Sequence, residues 1–341
     1  MSQSTANEQL RQVAVIGAGS WGSAIAWLLG SKPISVNLWA RDVETVSSFN
    51  NHHKNPRYLS DVEFPSTVYA TTDLAEAVSG VEAVLLVTPS MAVTEIASKL
   101  KSLIADDLPL MILSKGLDPA SGQLLDAALA AEVGHPERIA VLSGPNHAEE
   151  VCLGIPSGTV VASTSQQCAL YFQELMATPA FRVYISSDIV GVELYGATKN
   201  VVAIASGLAV GLGYGDNTLA MLMTRGLAEI ARLVEACGGE AITGMGLAGM
   251  GDLIATCTSS HSRNRGFGLE LAQGGSLESY QQRTHMIVEG ALAARTVTDL
   301  AAKLAVELPI CEQVRSIIWE NQPVQQAVQA LIARTAKPEF Y

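Results

Sequence analysis

Gly17-Ala18-Gly19-Ser20-Trp21-Gly22 constrains this chain more than any other stretch, because of what flanks it. Residues 12–16, QVAVI, are the β-branched and apolar residues of a buried strand, and residues 20–29 read as a helix. Strand, glycine turn and helix in immediate succession form the arrangement that receives a dinucleotide. Gly17 permits the tight turn, Gly19 lets backbone N–H groups approach a pyrophosphate, and Gly22 lets helix and strand pack closely. The positive end of the helix then faces the phosphates, with Ser20 and Trp21 in its first turn. A plain glycine-rich turn can carry the same letters, so the flanking elements make the case.

Short apolar runs recur at 35–39, 84–87, 110–114 and 139–142, with helical stretches such as 92–103 between them. Continuous apolar strands alternating with helices predict an α/β, Rossmann-like, doubly wound, mostly parallel sheet. Residues 159–162 and 182–185 read as its late strands. After about Asp188 strand signals become scarce, and long apolar helical runs follow at 190–212, 218–237 and 292–304. The 341 residues suit two domains better than one core. The expected division is a dinucleotide-binding domain over 1–188 and an all-α C-terminal domain for substrate binding and catalysis over 189–341. Residues 50–56, NNHHKNP, read as a polar loop with a solvated His52–His53 pair.

The formal net charge of −12 repels nucleic acid and anionic membranes. A small anionic substrate is compatible with it only where a local basic cluster exists. Cys152, Cys168, Cys237, Cys257 and Cys311 form no CxxC pair, and no His, Cys or acidic spacing suggests a metal. That pattern and a polar N-terminus, MSQSTANEQLR, predict a soluble cytoplasmic protein in a reducing compartment. The apolar stretch 201–215 is broken by glycine and short for a membrane span.

The basic residues that could hold an anion lie in three places. Lys115 follows the strand at 110–114, and strand carboxyl ends line the ligand crevice of such a sheet. Gly144-Pro145-Asn146-His147-Ala148 follows the next strand and offers a substrate-facing wall. Residues 256–265, TCTSSHSRNR, gather hydroxyls, an amide and two guanidiniums; Ser262 could cap a helix starting near Arg263, a helix start suited to phosphate or carboxylate. Between Leu194 and Gly215 the one charged side chain is Lys199, and Asp252 lies among apolar residues. Each needs an opposite charge, so the two are expected to pair. A lysine held in apolar surroundings has a lowered pKa and can exchange protons near neutrality. At the end of the second strand Arg41 suits a 2′-phosphate, while Asp42 suits ribose hydroxyls; the pattern leans to NADP without excluding NAD.

Taken in order, GAGSWG, NPRYL, SKG, SGPNHA, ELYGATKN, GDNTLAMLMTRGLAEI, GLAGMGDL, TCTSSHSRNRGFG and IVEG span nearly the whole chain. In this combination the sequence resembles the bacterial-type NAD(P)-dependent glycerol-3-phosphate dehydrogenases. The resemblance implies reversible hydride transfer between NAD(P)H and dihydroxyacetone phosphate, giving sn-glycerol 3-phosphate for phospholipid synthesis, in a homodimer. It implies Lys199 as the proton donor and acceptor, Lys115 against substrate and cofactor, and Asp252 holding Lys199. It implies Gly144, Asn146, Asn200, Thr258, Ser262, Arg263 and Asn264 as substrate contacts, with Arg263 on the phosphate and also near the cofactor. It adds Ser20, Trp21, Arg41, Tyr58, Ala148, Ile287 and Glu289 as cofactor contacts. Asn146, His147 and Leu219 depart from the common family residues; the first two touch the substrate wall. Other two-domain dehydrogenases with a helix lysine, acting on 6-phosphogluconate or hydroxyisobutyrate, share part of this pattern, as would a dinucleotide-sensing regulator that kept the fold.

Overall fold

The computed structural model describes residues 10–335 and 338–339, so the first nine residues of the polar N-terminal segment lie outside the description. Eight strands form one sheet: β1 (Arg11–Ile16), β2 (Ile34–Trp39), β3 (Val68–Thr71), β4 (Ala83–Leu86), β5 (Leu110–Ile112), β6 (Ile139–Ser143), β7 (Ser157–Ala162) and β8 (Phe181–Ser186). Their order is β3-β2-β1-β4-β5-β6-β7-β8. All neighbours are parallel except β6 and β7. The helices among them are α1 (Ser20–Gly30), α2 (Val43–His52), α3 (Leu74–Ala77), α4 (Val93–Leu100), α5 (Leu125–Val133), α6 (Ala148–Cys152) and α7 (Gln166–Met176).

Alternate residues of β1 serve two cores, Val13 and Val15 on one face and Ala14 and Ile16 on the other. Burial on both faces explains why the strand reads as an unbroken apolar run. The chain winds outward from β1 in both directions, so the strand order reverses beside it. Ile16, Trp39 and Leu86 lie level in the register, ending β1, β2 and β4 together below the glycine turn. Ligands of such sheets bind at this reversal, beyond the strand carboxyl ends.

The second half is helical: α8 (Ile189–Gly211), α9 (Asp216–Ala236), α10 (Asp252–Thr258), α11 (Arg263–Ala272), α12 (Leu277–Thr284), α13 (Glu289–Lys303), α14 (Pro309–Trp319) and α15 (Val324–Ile332). The Asp188 side chain caps α8 by accepting from Gly191 N at 2.8 Å. From there α8 is buried on every side, as expected of a helix apolar all round. It packs against α9, α10, α11 and α13 and reaches the sheet at β6. Its crossing with α11 is close because both helices present glycine; a Cβ on Gly207 would lie 2.0 Å from the Arg265 carbonyl oxygen.

Two readings of the sequence are corrected. Residues 50–52 are not loop but the last turn of α2, which Asp42 starts by accepting from Thr45 N at 2.9 Å. Asn50 turns its amide onto Ala70, donating to the carbonyl at 2.9 Å and accepting from the N–H at 2.8 Å, so it staples α2 to β3. His52 is exposed as expected, but His53 is half-buried with an unpartnered Nδ1. β3 itself was not anticipated: four residues at the sheet edge carry too little pattern to stand out. No helix among the described residues is long and apolar enough to cross a membrane.

Candidate active site

The glycine turn has the geometry a dinucleotide needs. Gly17 adopts φ +122°, and a Cβ there would lie 2.7 Å from the Val87 carbonyl oxygen. A Cβ on Gly22 would lie 1.8 Å from the Gly17 carbonyl oxygen, so the first turn of α1 rests directly on the loop. At Gly19 a Cβ would meet nothing within 4 Å, which leaves open space over the start of α1. A backbone cradle with an open side at a helix N-terminus fits a pyrophosphate. Trp21 packs with the buried Ala24, Ala148 and Cys152, bringing α6 beside α1.

The loop carrying Tyr58 is pinned to this turn by Asn55, a residue that sequence reasoning left without a role. Its buried amide donates to the Ala18 carbonyl at 3.1 Å and to Ser23 Oγ at 2.8 Å. Its Oδ1 accepts from Arg57 N at 2.9 Å and Tyr58 N at 3.0 Å. Arg41 is exposed beyond the end of β2. Asp42 is committed to the α2 cap and lies 3.7 Å from Arg57. Helix capping and Arg57, with burial opposing them, hold its carboxyl below the usual range.

Across the crevice one carboxylate joins the two halves of the chain. Asp252 is 2% exposed. Its Oδ1 accepts from Lys199 Nζ at 2.9 Å and its Oδ2 from Lys115 Nζ at 2.5 Å. Burial alone would raise the Asp252 carboxyl, but the two ammonium groups more than offset that and hold it below the carboxylate range. Lys115 also donates to the Gly144 carbonyl at 3.1 Å, and Ser143 Oγ stands 3.4 Å from Asp252 Oδ2. Lys199 is 6% exposed. Burial, aided by Lys115 and opposed by Asp252, brings its ammonium down to about 8. The anticipated Lys199–Asp252 pair therefore forms, and Lys115 completes it.

Several residues make this approach possible. Thr256 Oγ1 accepts from Lys199 Nζ at 2.5 Å and donates to the Asp252 carbonyl at 2.6 Å, so its hydroxyl is oriented. Gly196 lies where a Cβ would stand 2.7 Å from Ser143 Oγ and 3.8 Å from Lys115 Cδ. A π-helical turn, Leu247–Gly251, feeds directly into α10 and presents Asp252 at its first position. π-turns of this kind recur at functional sites. Gly249 closes it, since a Cβ there would lie 2.3 Å from the Gly244 carbonyl oxygen.

The remaining candidates fall into two groups. Ser262 caps α11 by accepting from Arg265 N at 3.2 Å, which leaves Arg263 exposed at the helix start. Asn264 donates to Asn200 Oδ1 at 2.9 Å and accepts from Gly290 N at 3.0 Å, tying α8, α11 and α13 together. Glu289 reaches across to the sheet half, accepting from Ser90 Oγ at 2.7 Å and Ser90 N at 3.2 Å. Its carboxyl is pushed up by burial. Ile287, two residues earlier, is 39% exposed. By contrast Thr258 stands on the exposed side of α10, its hydroxyl turned back to the Ile254 carbonyl at 2.8 Å. Asn146 donates to the Gly158 carbonyl at 3.1 Å and keeps a buried, unpartnered Oδ1. Leu219 is half-buried in α9, away from this cluster in the chain.

Two family models divide the chain: residues 12–169 match NAD-dependent glycerol-3-phosphate dehydrogenase N-terminus, and residues 188–329 match the C-terminus of the same family. A glycerol-3-phosphate dehydrogenase [NAD(P)+] of Syntrophomonas wolfei is 43% identical over 331 residues, covering 96% of each chain. One from Corynebacterium jeikeium is 44% identical over 330 residues, 96% of this chain and 99% of the relative. The crystal structure of a glycerol-3-phosphate dehydrogenase from Coxiella burnetii superposes with a TM-score of 0.91 at 40% identity, covering 95% of this chain and 99% of that one.

Proposed function

The chain belongs to the NAD-dependent glycerol-3-phosphate dehydrogenase family, and from that premise we infer how its own residues divide the reaction. The protein is an NAD(P)-dependent oxidoreductase that interconverts dihydroxyacetone phosphate and sn-glycerol 3-phosphate. Residues 1–188 bind the dinucleotide, and residues 189–341 contribute the substrate site and the reacting lysine. The observation that carries the reading is the buried Asp252 carboxylate shared by one lysine from each half.

Gly17, Gly19 and Gly22 with the start of α1 hold the pyrophosphate, and Ser20, Trp21, Tyr58 and Ala148 border it. When bound, the nicotinamide supplies or accepts the hydride. Arg41 faces the adenosine ribose; with Asp42 occupied as a cap, this end of the site accepts a 2′-phosphate as well as a hydroxyl. Ile287 and Glu289 close the cofactor side, Glu289 through Ser90.

Substrate enters between Lys115, the Gly144–Asn146 wall and the start of α11, where Ser262, Arg263 and Asn264 receive its phosphate and Asn200 supports them. Fixing the phosphate fixes the carbonyl, which converts binding energy into orientation. Reduction builds negative charge on the carbonyl oxygen. Lys199, protonated and dry, stabilises that charge and passes a proton from Nζ to the oxygen. In oxidation Nζ takes the hydroxyl proton instead. Lys115 holds the Asp252 carboxylate and contacts substrate and cofactor from the sheet side. Glycerophospholipid synthesis as the use of the product, a homodimeric assembly and a cytoplasmic location belong to the same reading.

The test follows absorbance of NADH and of NADPH with dihydroxyacetone phosphate present and absent. Substrate-dependent oxidation of at least one cofactor is expected. Its absence with both would end the assignment, whatever the fold.

A further inference from the structure

Two imidazoles meet where the two walls of the cleft join, and the reaction described above uses neither. His147 ends the turn after β6 and stands immediately before α6. Its Nε2 lies 3.4 Å from the Ala255 carbonyl oxygen of α10, between Asp252 and Thr256 in the chain. His261 comes from the other half of the molecule and directly precedes Ser262, Arg263 and Asn264. Its backbone N–H donates to Ser259 Oγ at 3.0 Å, which fixes the bend that presents the ring. The ring centroids are 5.9 Å apart and the planes are inclined at 47°, too far and too tilted for stacking. Rings so disposed can each turn one N–H toward a small tetrahedral anion lying between them.

The charged surroundings favour an anion there. On α6 the nearest acids are Glu149 and Glu150 in its first turn. On α10 the acid is Asp252, already committed to Lys115 and Lys199. On α11 the first turn carries Arg263 and Arg265, and Glu270 further along pairs with Arg283. Among the described residues neither imidazole has a carboxylate as an ion-pair partner; the histidine that does is His135, with Glu137.

We propose that His147 and His261 form a proton-linked clamp for the substrate's phosphate, one ring from each half of the chain. The inference rests on the reading that the phosphate lies at Ser262 and Arg263. Two imidazolium charges at this spacing repel each other. An arriving dianion offsets that repulsion, and a proton moves from solvent onto a ring nitrogen as the anion binds. Recognition of the phosphate therefore tightens as the pH falls through the imidazole range.

Sulfate is a suitable probe, because it carries the charge of the phosphate and does not titrate near neutrality. Its inhibition constant against dihydroxyacetone phosphate is measured from about pH 7.3 to about pH 5.8, across the imidazole range and where Lys199 stays charged. The proteins compared are the parent, His147→Gln, His261→Gln, the double variant and Arg263→Ala. The parent should bind sulfate roughly fivefold tighter at the lower pH, the double variant should be nearly flat, and each single variant should fall between. Calorimetry in two buffers of different ionisation enthalpy should detect proton uptake on sulfate binding in the parent and none in the double variant. His261 is exposed, so its single variant preserves the fold and keeps the test decisive. A double variant with the parent's pH slope and proton uptake overturns the clamp. If Arg263→Ala also leaves sulfate binding unchanged, the phosphate position itself is wrong and both readings fall. If it weakens sulfate while the double variant keeps the parent's slope, only the clamp falls.

Discussion

At the glycine turn the sheet half presents backbone, whereas the helical side of the cleft holds charged side chains taken out of water. Gly17 and Gly22 leave no space for a Cβ, and what they bring close is N–H groups and a helix end. That turn, residues 17–22, carries no ionised group whose hydration must be replaced. The helical wall holds Lys199 and Asp252, each less than a tenth exposed, with Lys115 reaching in from the sheet. Removing such charges from water costs several kcal/mol per ion, and pairing through Asp252 offsets it. On the proposed division of roles, the backbone turn suits any dinucleotide, while the charged wall fixes which reaction follows.

The sharpest way to break this contrast is to remove the shared carboxylate. Asp252→Asn leaves two ammonium groups facing each other, so turnover should fall by more than about a thousandfold and stability by about 3–5 kcal/mol. Kinetics and chemical denaturation measure both, and a variant of parental stability would show that the lysines do not depend on one another through Asp252. Lys199→Met should separate the two effects: kcat falls by at least about a thousandfold, while Asp252 keeps Lys115 and stability changes little. Near-normal turnover in that variant would be incompatible with the proton role.

Arg263→Ala should raise KM for dihydroxyacetone phosphate about 10- to 100-fold with a smaller change in kcat, since its guanidinium stands exposed at the start of α11 and its proposed role is to hold the phosphate. Unchanged saturation would move the phosphate elsewhere. With Lys199 at about 8, reduction needs the protonated form, so kcat/KM should fall about tenfold per unit above that pH. Oxidation should rise through the same range; parallel profiles in the two directions would contradict the assignment. On the backbone wall, Gly22→Val should act in the opposite way, forcing a Cβ to within 1.8 Å of the Gly17 carbonyl. A loss of about 1–3 kcal/mol and weaker cofactor binding are expected, with little effect on the chemical step of enzyme that still binds. Fluorescence titration and single-turnover rates distinguish these outcomes.

The backbone wall was legible because strand, glycine turn and helix are consecutive in the chain. Lys199 was legible for a different reason: a charge without a local partner in an apolar helix demands one elsewhere, and Asp252 had the same need. Thr256, Gly196, Ser143 and Asn55 could not be read in their roles, because each acts only once particular elements cross. Gly196 matters because β6 brings Ser143 against α8, and no spacing within either element announces that contact. Asn264 was read as a ligand contact, yet both ends of its amide already hold α8 and α13, so its effect on substrate runs partly through the helices it joins. The last turn of α2 was obscured by its polar letters, whose asparagine binds backbone instead of solvent.

The π-turn at Leu247–Gly251 adds a constraint on length to those on composition. Each residue of a helix rotates the next by roughly 100°, so losing or gaining one residue there would swing Asp252 and Thr256 together around the axis of α10. The apolar face of α10, which holds Leu253 in the core, would rotate with them. Among descendants of this chain the segment can change its letters where side chains have room, but insertions and deletions should be absent from it.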